Sequence, residues 1–399
     1  MARTEGVLPG GARLADYLTV GYLAFNCPLD KVREALTGCG AHTRKRRDLP
    51  REVLVYFVMA MCLYPRVAYE EVLRLVIEGL RRIYGDEVSE AEVTKAAISQ
   101  GRTRLGWEAM RAVFDRQVSP VAGEGAQGAW YRRWRVMGID GSTLDVPDEK
   151  GNAEAFGYPG GGRGEAGFPQ IRFVGLGECA THTLCKVEMG GCRESENALA
   201  RKLFPSLEPS MLVIADRLFF GYDIWRETTA TGAALLWRVK SNLRLPRETV
   251  LPDGSYLSTI YTGDRDRRHK QNGITVRVIE YGLEGVPDAE PFYRLVTNIL
   301  DPAEGPAAEL AALYHQRWKI EGMFDEVKTH LREERKVLRS KTPDLVRQEF
   351  YGLMLTHAAI RRLMYEAAEH TGQLAEDLSF VHAVRVLARR LPEAGALSP

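Results

Sequence analysis

Along the first 125 residues apolar side chains return every third or fourth position. That spacing predicts helices over Leu14 to Ala24, Leu29 to Leu36, Arg51 to Leu63, Tyr69 to Tyr84 and Glu90 to Phe114. Pro28, Pro50 and Pro65 mark starts and stops. Val53 to Tyr64 is apolar at all twelve positions and stops at Pro65, too short to span a bilayer and suited to a buried helix. After the glycine-rich stretch Gly123 to Gly128 the pattern changes. Trp134 to Asp140 reads as a strand ending at Asp140 ahead of a turn, and Pro169 to Glu178 and Thr181 to Met189 as a strand pair about Cys179-Ala180. Glu196 to Leu203 reads as a crossover helix. Met211 to Ala215 is a continuous apolar run of buried-strand type that delivers Asp216 at its end. A helix over Gly221 to Thr229 and a strand over Ala234 to Lys240 follow.

From Ser241 to Leu300 the chain alternates and turns, at Asp253-Gly254 and Asn272-Gly273, around strands Ile274 to Tyr281 and Phe292 to Leu300. Leu310 to Leu331 then reads as a helix whose stripe of Leu313, Ile320, Phe324, Val327 and Leu331 faces a core. Helices over Pro343 to Ala368 and Phe380 to Leu391 close the chain. The pattern divides the sequence into a helical domain over 1–125, an α/β segment over 130–240, a β-rich insertion over 241–300, a helical segment over 301–345 and C-terminal helices over 346–399.

Composition adds constraints. The chain has 399 residues, 45% of them apolar, enough for two or three domains. A net charge of +1 gives no global basic field, so a nucleic-acid partner has to be met by local patches. Six cysteines without a CxxC pair, and no legible signal peptide, lead us to expect a reducing cytoplasm and no zinc cluster. Local basic clusters exist at Arg44, Lys45, Arg46 and Arg47 and again over Arg265 to Lys270; each reads as a backbone-tracking patch or as a solvated loop. Thr94 to Leu105 reads as the second half of a helix-turn-helix, with Ser99, Gln100, Arg102 and Arg104 suited to base edges and phosphates. The loop Gly157 to Gly167 lacks the Gly-Lys-Ser/Thr ending of a phosphate loop and reads as surface loop.

The chemistry concentrates on the Leu310 to Leu331 helix. Tyr314, Arg317, Glu321 and Lys328 form a second stripe beside the apolar one, a row of phenol, guanidinium, carboxylate and ammonium. Cations that bind phosphate oxygens beside a carboxylate that holds a metal ion suit a phosphodiester; the alternative is a solvated face of charge pairs. Asp140 reads either as a strand-end metal ligand or as half of an Asp-Gly turn, and Asp216 as a ligand, a helix N-cap, or both.

The spacing of Tyr314, Arg317, Glu321 and Lys328 resembles the signature helix of the insertion-sequence-four family of DDE transposases. Asp216-Arg217-Leu218-Phe219-Phe220 resembles that family's second carboxylate motif, and the Ser99-Gln100-x-Arg102 segment fits its N-terminal pattern. The resemblance runs from the basic N-terminal cluster to the helix holding His357. It implies an α/β fold with an RNase H-like catalytic core, a β-rich insertion before the Glu321 helix, an N-terminal helical DNA-binding domain and C-terminal helices. Asp140, Asp216 and Glu321 would be the catalytic metal ligands, holding two Mg²⁺ or Mn²⁺ ions. Tyr314, Arg317, Lys328, Arg238 and Lys240 would meet phosphates, with Arg44 to Arg47, Arg102 and Arg104 on the DNA ends. Tyr293 stands where relatives that open flanking DNA through a hairpin carry a tryptophan for a flipped base. His357 and Arg361 would either reach DNA or pack. The implied activity is metal-dependent phosphodiester hydrolysis and strand transfer of cut-and-paste type on double-stranded transposon ends and target DNA. The implied protein is a homodimer when two ends are paired, cytoplasmic and on the nucleoid, with no membrane. A nuclease without strand transfer and a DNA-binding regulator derived from a transposase are the alternatives; the intact acidic triad favours activity.

Overall fold

The computed structural model describes residues 14–40, 49–88, 94–160, 167–282, 292–332 and 337–388, with side chains described from residue 19 onward. The Arg44 to Arg47 cluster lies outside the described residues. The first helices are α1 (Leu14–Asn26), α2 (Leu29–Gly38), α3 (Arg51–Leu63), α4 (Tyr69–Tyr84), α5 (Lys95–Leu105) and α6 (Trp107–Gln117). Strands and helices then alternate: β1 (Trp130–Tyr131), β2 (Trp134–Asp145), α7 (Lys150–Phe156), β3 (Gln170–Glu178), β4 (Thr183–Gly191), α8 (Glu196–Leu203), β5 (Met211–Ala215), α9 (Tyr222–Thr229) and β6 (Ala234–Arg238). Next come β7 (Thr249–Val250), β8 (Tyr256–Ile260), α10 (Asp264–His269), β9 (Ile274–Tyr281) and β10 (Tyr293–Thr297). The chain ends in α11 (Ala307–Tyr314), α12 (Trp318–Asp325), α13 (Pro343–Thr371) and α14 (Phe380–Leu387). Two compact units emerge, one from Met1–Ser119, Leu144–Ile171 and Asp325–Pro399, the other from Pro120–Thr143 and Arg172–Phe324.

The first unit is helical. Its centre is α3, buried from Val53 through Leu63 and packed on α4 and α13. α4 is amphipathic, with Val72, Leu73, Val76 and Leu80 inward, Glu70 and Glu71 in its first turn and Arg81 and Arg82 in its last, as the helix dipole favours. The single helix expected over Glu90 to Phe114 is instead α5 and α6. They break at Gly106, whose φ of 76° and ψ of 163° only glycine adopts readily.

The second unit is built on one sheet, of order β4-β3-β2-β5-β6-β10-β9-β8-β7 with β1 beside β2. β2, β5 and β6 run parallel, with Ile139 opposite Ala215 and Ala215 opposite Trp237. β10 is antiparallel to β6. Alternation along these strands separates two cores. One face carries Met137, Ile139, Val213, Ala215, Leu235 and Trp237 against Leu199 and Leu203 of α8 and Trp225 of α9. The other carries Val136, Leu212, Ile214, Leu236 and Leu295 against Leu310 and Tyr314. Burial on both faces is why β5 and β6 read as unbroken apolar runs. The three consecutive strands β2, β3 and β4 beside parallel β5 and β6, with helices over both faces, form an RNase H-like core. The strands of 241–300 continue that sheet past β6.

Two local readings change. β2 does not end at Asp140; it runs on to Asp145, so no Asp-Gly turn forms there. The run from Ala307 to His330 is helical throughout but irregular, with a 3₁₀ turn at His315–Arg317 and a π turn at Glu326–His330 between and after α11 and α12. α7 and α10 had no counterpart in the sequence reading; α10 carries part of the Arg265 to Lys270 cluster on an exposed six-residue helix. Among the described residues no helix is long and apolar enough to cross a membrane.

Candidate active site

Strand register assembles the site. Ile139 and Ala215 are opposite each other in the parallel pair, so Asp140 and Asp216 follow at neighbouring positions on β2 and just past β5. Ile139 and Ala215 face the α8 side, so alternation turns both aspartates to the other face, the one covered by Tyr314. Arg238, two residues after Leu236 of that face, falls on it too. The helical run over this face then supplies Arg317 and Glu321.

Arg317 ties these elements together. Its Nη1 lies 2.7 Å from Glu321 Oε1 and 3.5 Å from Asp140 Oδ2. Its guanidinium stands over the Trp318 ring at 4.4 Å, and its side chain is only 8% exposed. Asp140 Oδ1 accepts a hydrogen bond from the Gly141 N–H at 2.8 Å. Burial is the largest influence on Asp140 and raises its pKa to about 6; the Gly141 N–H and Arg317 pull it down, while the Glu321 and Asp216 charges push it up. The Asp216 carboxylate accepts from the Arg217 N–H. α9 begins only at Tyr222, so the N-cap reading of Asp216 fails. Tyr314 Oη donates to the Ala215 carbonyl at 3.4 Å, and burial raises its pKa, so it stays a phenol.

At the far side of the same sheet edge Arg238 lies over the Tyr293 ring at 4.6 Å. Tyr293 stacks on Tyr281, with ring centroids 5.5 Å apart, and His315 meets Tyr281 edge-on at 6.3 Å. Tyr293 is expected from the sequence, whereas Tyr281, Trp318 and His315 join it only in the structure. Trp318 was legible as an aromatic beside Arg317; Tyr281 becomes a partner only through the β9–β10 register that sets it opposite Tyr293.

The remaining expected residues scatter. Tyr314 and Arg317 are buried rather than on the margin of the apolar stripe. Lys240 is exposed two residues beyond β6, and Lys328 is half-buried in the π turn. Arg102 corrects the base-reading expectation. It is 2% exposed, with Nε donating to Gln348 Oε1 at 2.7 Å and Nη2 to Ser340 Oγ at 3.0 Å, while Gln348 Nε2 returns a bond to the Arg102 carbonyl. Arg104, two residues on, is exposed. His357 and Arg361 are also buried and both meet Glu326.

Among the described residues no three carboxylate, imidazole or thiolate groups already lie close enough to hold a metal ion. The donor set still fits a hard cation. Asp140, Asp216 and Glu321 offer only oxygen, the charges of Glu321 and Asp216 raise the pKa of Asp140, and Arg317 supplies the positive charge that Asp140 and Glu321 share.

Residues 18–115 match the family described as Insertion element 4 transposase N-terminal, and residues 135–358 match Transposase DDE domain. The chain is 26% identical over 377 residues to the transposase InsG for insertion sequence element IS4 of Escherichia coli (strain K12), covering 92% of this chain and 82% of that one. It is 21% identical over 215 residues to the putative transposase InsZ of the same organism, covering 54% and 69%. Among solved structures it is similar to a piggyBac transposase synaptic complex with hairpin DNA, seen by cryo-EM, with a TM-score of 0.47 and 10% identity over 93% of this chain and 79% of that one.

Proposed function

Because the chain belongs to the insertion-sequence-four family of DDE transposases, we propose that Asp140, Asp216 and Glu321 are the catalytic carboxylates of its divalent-metal-dependent DNA transposition and hold two Mg²⁺ or Mn²⁺ ions. The observation that carries this is the register that sets Asp140 and Asp216 side by side on one face, with Arg317 bonding Asp140 and Glu321 together. The ions would supply Lewis acidity, lowering the pKa of the attacking water or DNA 3′-hydroxyl and stabilising the leaving oxygen.

The chain's own residues do the placing. Tyr314 holds the Ala215 carbonyl and so fixes the backbone that presents Asp216. Arg317, no longer needed between the two carboxylates once cations are there, turns its charge to the phosphate beside the scissile bond. Arg238, Lys240 and Lys328 bind flanking phosphates, and Tyr293, already stacked with Tyr281, offers an aromatic face to an extruded base. The helical N-terminal region binds the element ends through Arg44 to Arg47 and Arg104. The protein acts as a homodimer that pairs two ends, in the cytoplasm and on the nucleoid, by a cut-and-paste route.

The test is cleavage of a labelled duplex carrying the DNA that flanks this gene, in Mg²⁺ or Mn²⁺ against EDTA, followed by addition of a target plasmid. Nicking at the element boundary that needs metal, then joining to the plasmid, is the expected result. Cutting without joining would support the nuclease alternative, and binding without cutting a DNA-binding regulator.

A further inference from the structure

Within the helical unit, one cation of a buried cluster has no partner among the described residues. Arg332 follows the π turn that carries Lys328. It is 7% exposed, its Nη2 is closed off from solvent without a hydrogen-bond partner, and it makes no ion pair among the described residues. Arg102 and Arg339 belong to the same cluster, since all three guanidiniums act on the Cys62 thiol of α3, against the Glu349 carboxylate of α13. Those two are satisfied elsewhere. Arg102 bonds Gln348 and Ser340, while Arg339 donates to the Tyr64 carbonyl at 3.2 Å and the Val67 carbonyl at 2.9 Å and stands over the Tyr69 ring at 4.1 Å. The nearby acids are committed as well. Glu349 accepts from the Arg339 N–H at 2.9 Å and the Ser340 N–H at 2.8 Å, and Asp145 accepts from Gln170 Nε2 at 2.6 Å. Burial holds Cys62 well above the ordinary thiol range, so it stays neutral and supplies no counter-charge.

Burial is the largest influence on Arg332 and pulls its pKa down, while the charges of Glu349 and Asp145 support the cation without bonding it. A guanidinium stays charged all the same, and a buried cation without a counter-ion is costly. Its planar fork matches two oxygens of a tetrahedral oxyanion. We propose that Arg332 is the receptor of a phosphate-binding site, taking either free inorganic phosphate or one backbone phosphate of DNA. The DNA source rests on the reading that Lys328, in the preceding turn, binds flanking phosphates; the free-phosphate source does not. An Arg332 with a purely structural role would instead cost stability on truncation whatever the buffer anion.

The experiment is thermal unfolding of the full chain in chloride and in inorganic phosphate at constant ionic strength, for wild type and Arg332→Met. In chloride the variant is expected to unfold at or above the wild-type temperature, because it removes an unpaired buried charge. Phosphate is expected to raise the Tm of wild type and to leave the variant unmoved. The salt dependence of affinity for a duplex carrying the element end then tells the sources apart. A slope lower by about one in Arg332→Met, with bound duplex abolishing the phosphate response, assigns the site to a DNA phosphate. An unchanged slope beside an intact phosphate response assigns it to free phosphate. An equal phosphate response in both proteins overturns the proposal, as does a variant that is less stable by the same margin in both buffers. No cleavage is read, so either result stands apart from the assignment of Asp140, Asp216 and Glu321.

Discussion

Asp140 is a carboxylate with an 18% exposed side chain whose pKa is raised from 3.8 to about 6, chiefly by burial. Its folded pKa lies above the unfolded one, so the native state holds the extra proton between about pH 4 and pH 6. The stabilisation is complete below the unfolded value and is lost as pH rises through about 6. At neutral pH the carboxylate therefore costs about 3 kcal/mol that a divalent cation offsets. In EDTA, Asp140→Asn is expected to be more stable than wild type, by a margin that grows from pH 4 to pH 7 and shrinks in saturating Mg²⁺. Thermal unfolding across pH measures it, and a margin independent of pH contradicts the account. Cleavage at fixed Mg²⁺ should fall below about pH 6, where the proton competes with the metal.

Among elements, α13 and the π turn Glu326–His330 share a buried ionic cluster within the helical unit. Glu326 Oε2 accepts from Arg361 Nε at 2.7 Å and lies 2.9 Å from His357 Nε2, while Arg361 Nη2 donates to Oε1. Burial lowers His357 to about 3, leaving it neutral, and lowers Arg361 to about 9. Arg361→Met removes the guanidinium that balances the buried carboxylate charge and should cost about 3–5 kcal/mol, read from the urea midpoint. Adding Glu326→Gln should recover much of that loss. A loss below about 1 kcal/mol in the single variant would mean that the cluster is solvated.

Element boundaries were legible where one periodicity held. α3, α4, α8 and β5 begin and end where the apolar pattern does, because Pro50, Pro65 and the change of period bound them. The break at Gly106 was missed because a glycine inside a periodic run reads as tolerated until its φ is known. Asp140 looked like a strand end because Asp-Gly is a turn signal, yet pairing in the sheet carried β2 five residues further. The spacing of Tyr314, Arg317 and Glu321 along one helical run was legible, but the depth of Tyr314 and Arg317 was not. Burial of Tyr314 and Arg317 depends on the sheet beneath them, which no local pattern encodes. Arg102 failed for the same reason, since its partners Gln348 and Ser340 lie more than two hundred positions along the chain.

At the scale of the molecule, the proposed site would join residues from β2, the end of β5 and α12, so it would exist only when the central sheet is complete. Sequence motifs can mark its members but not their assembly. A net charge of +1 also means that DNA is met by local surfaces rather than by an overall field. Binding to DNA ends and chemistry at the carboxylates should therefore separate on mutation. The most direct test compares wild type with Asp140→Asn, Asp216→Asn and Glu321→Gln, scoring end binding by gel shift and Mg²⁺-dependent nicking on the same labelled duplex. Each substitution is expected to abolish nicking while leaving end binding within a few-fold of wild type. Nicking that survives any one of the three would contradict the assignment of that carboxylate as catalytic.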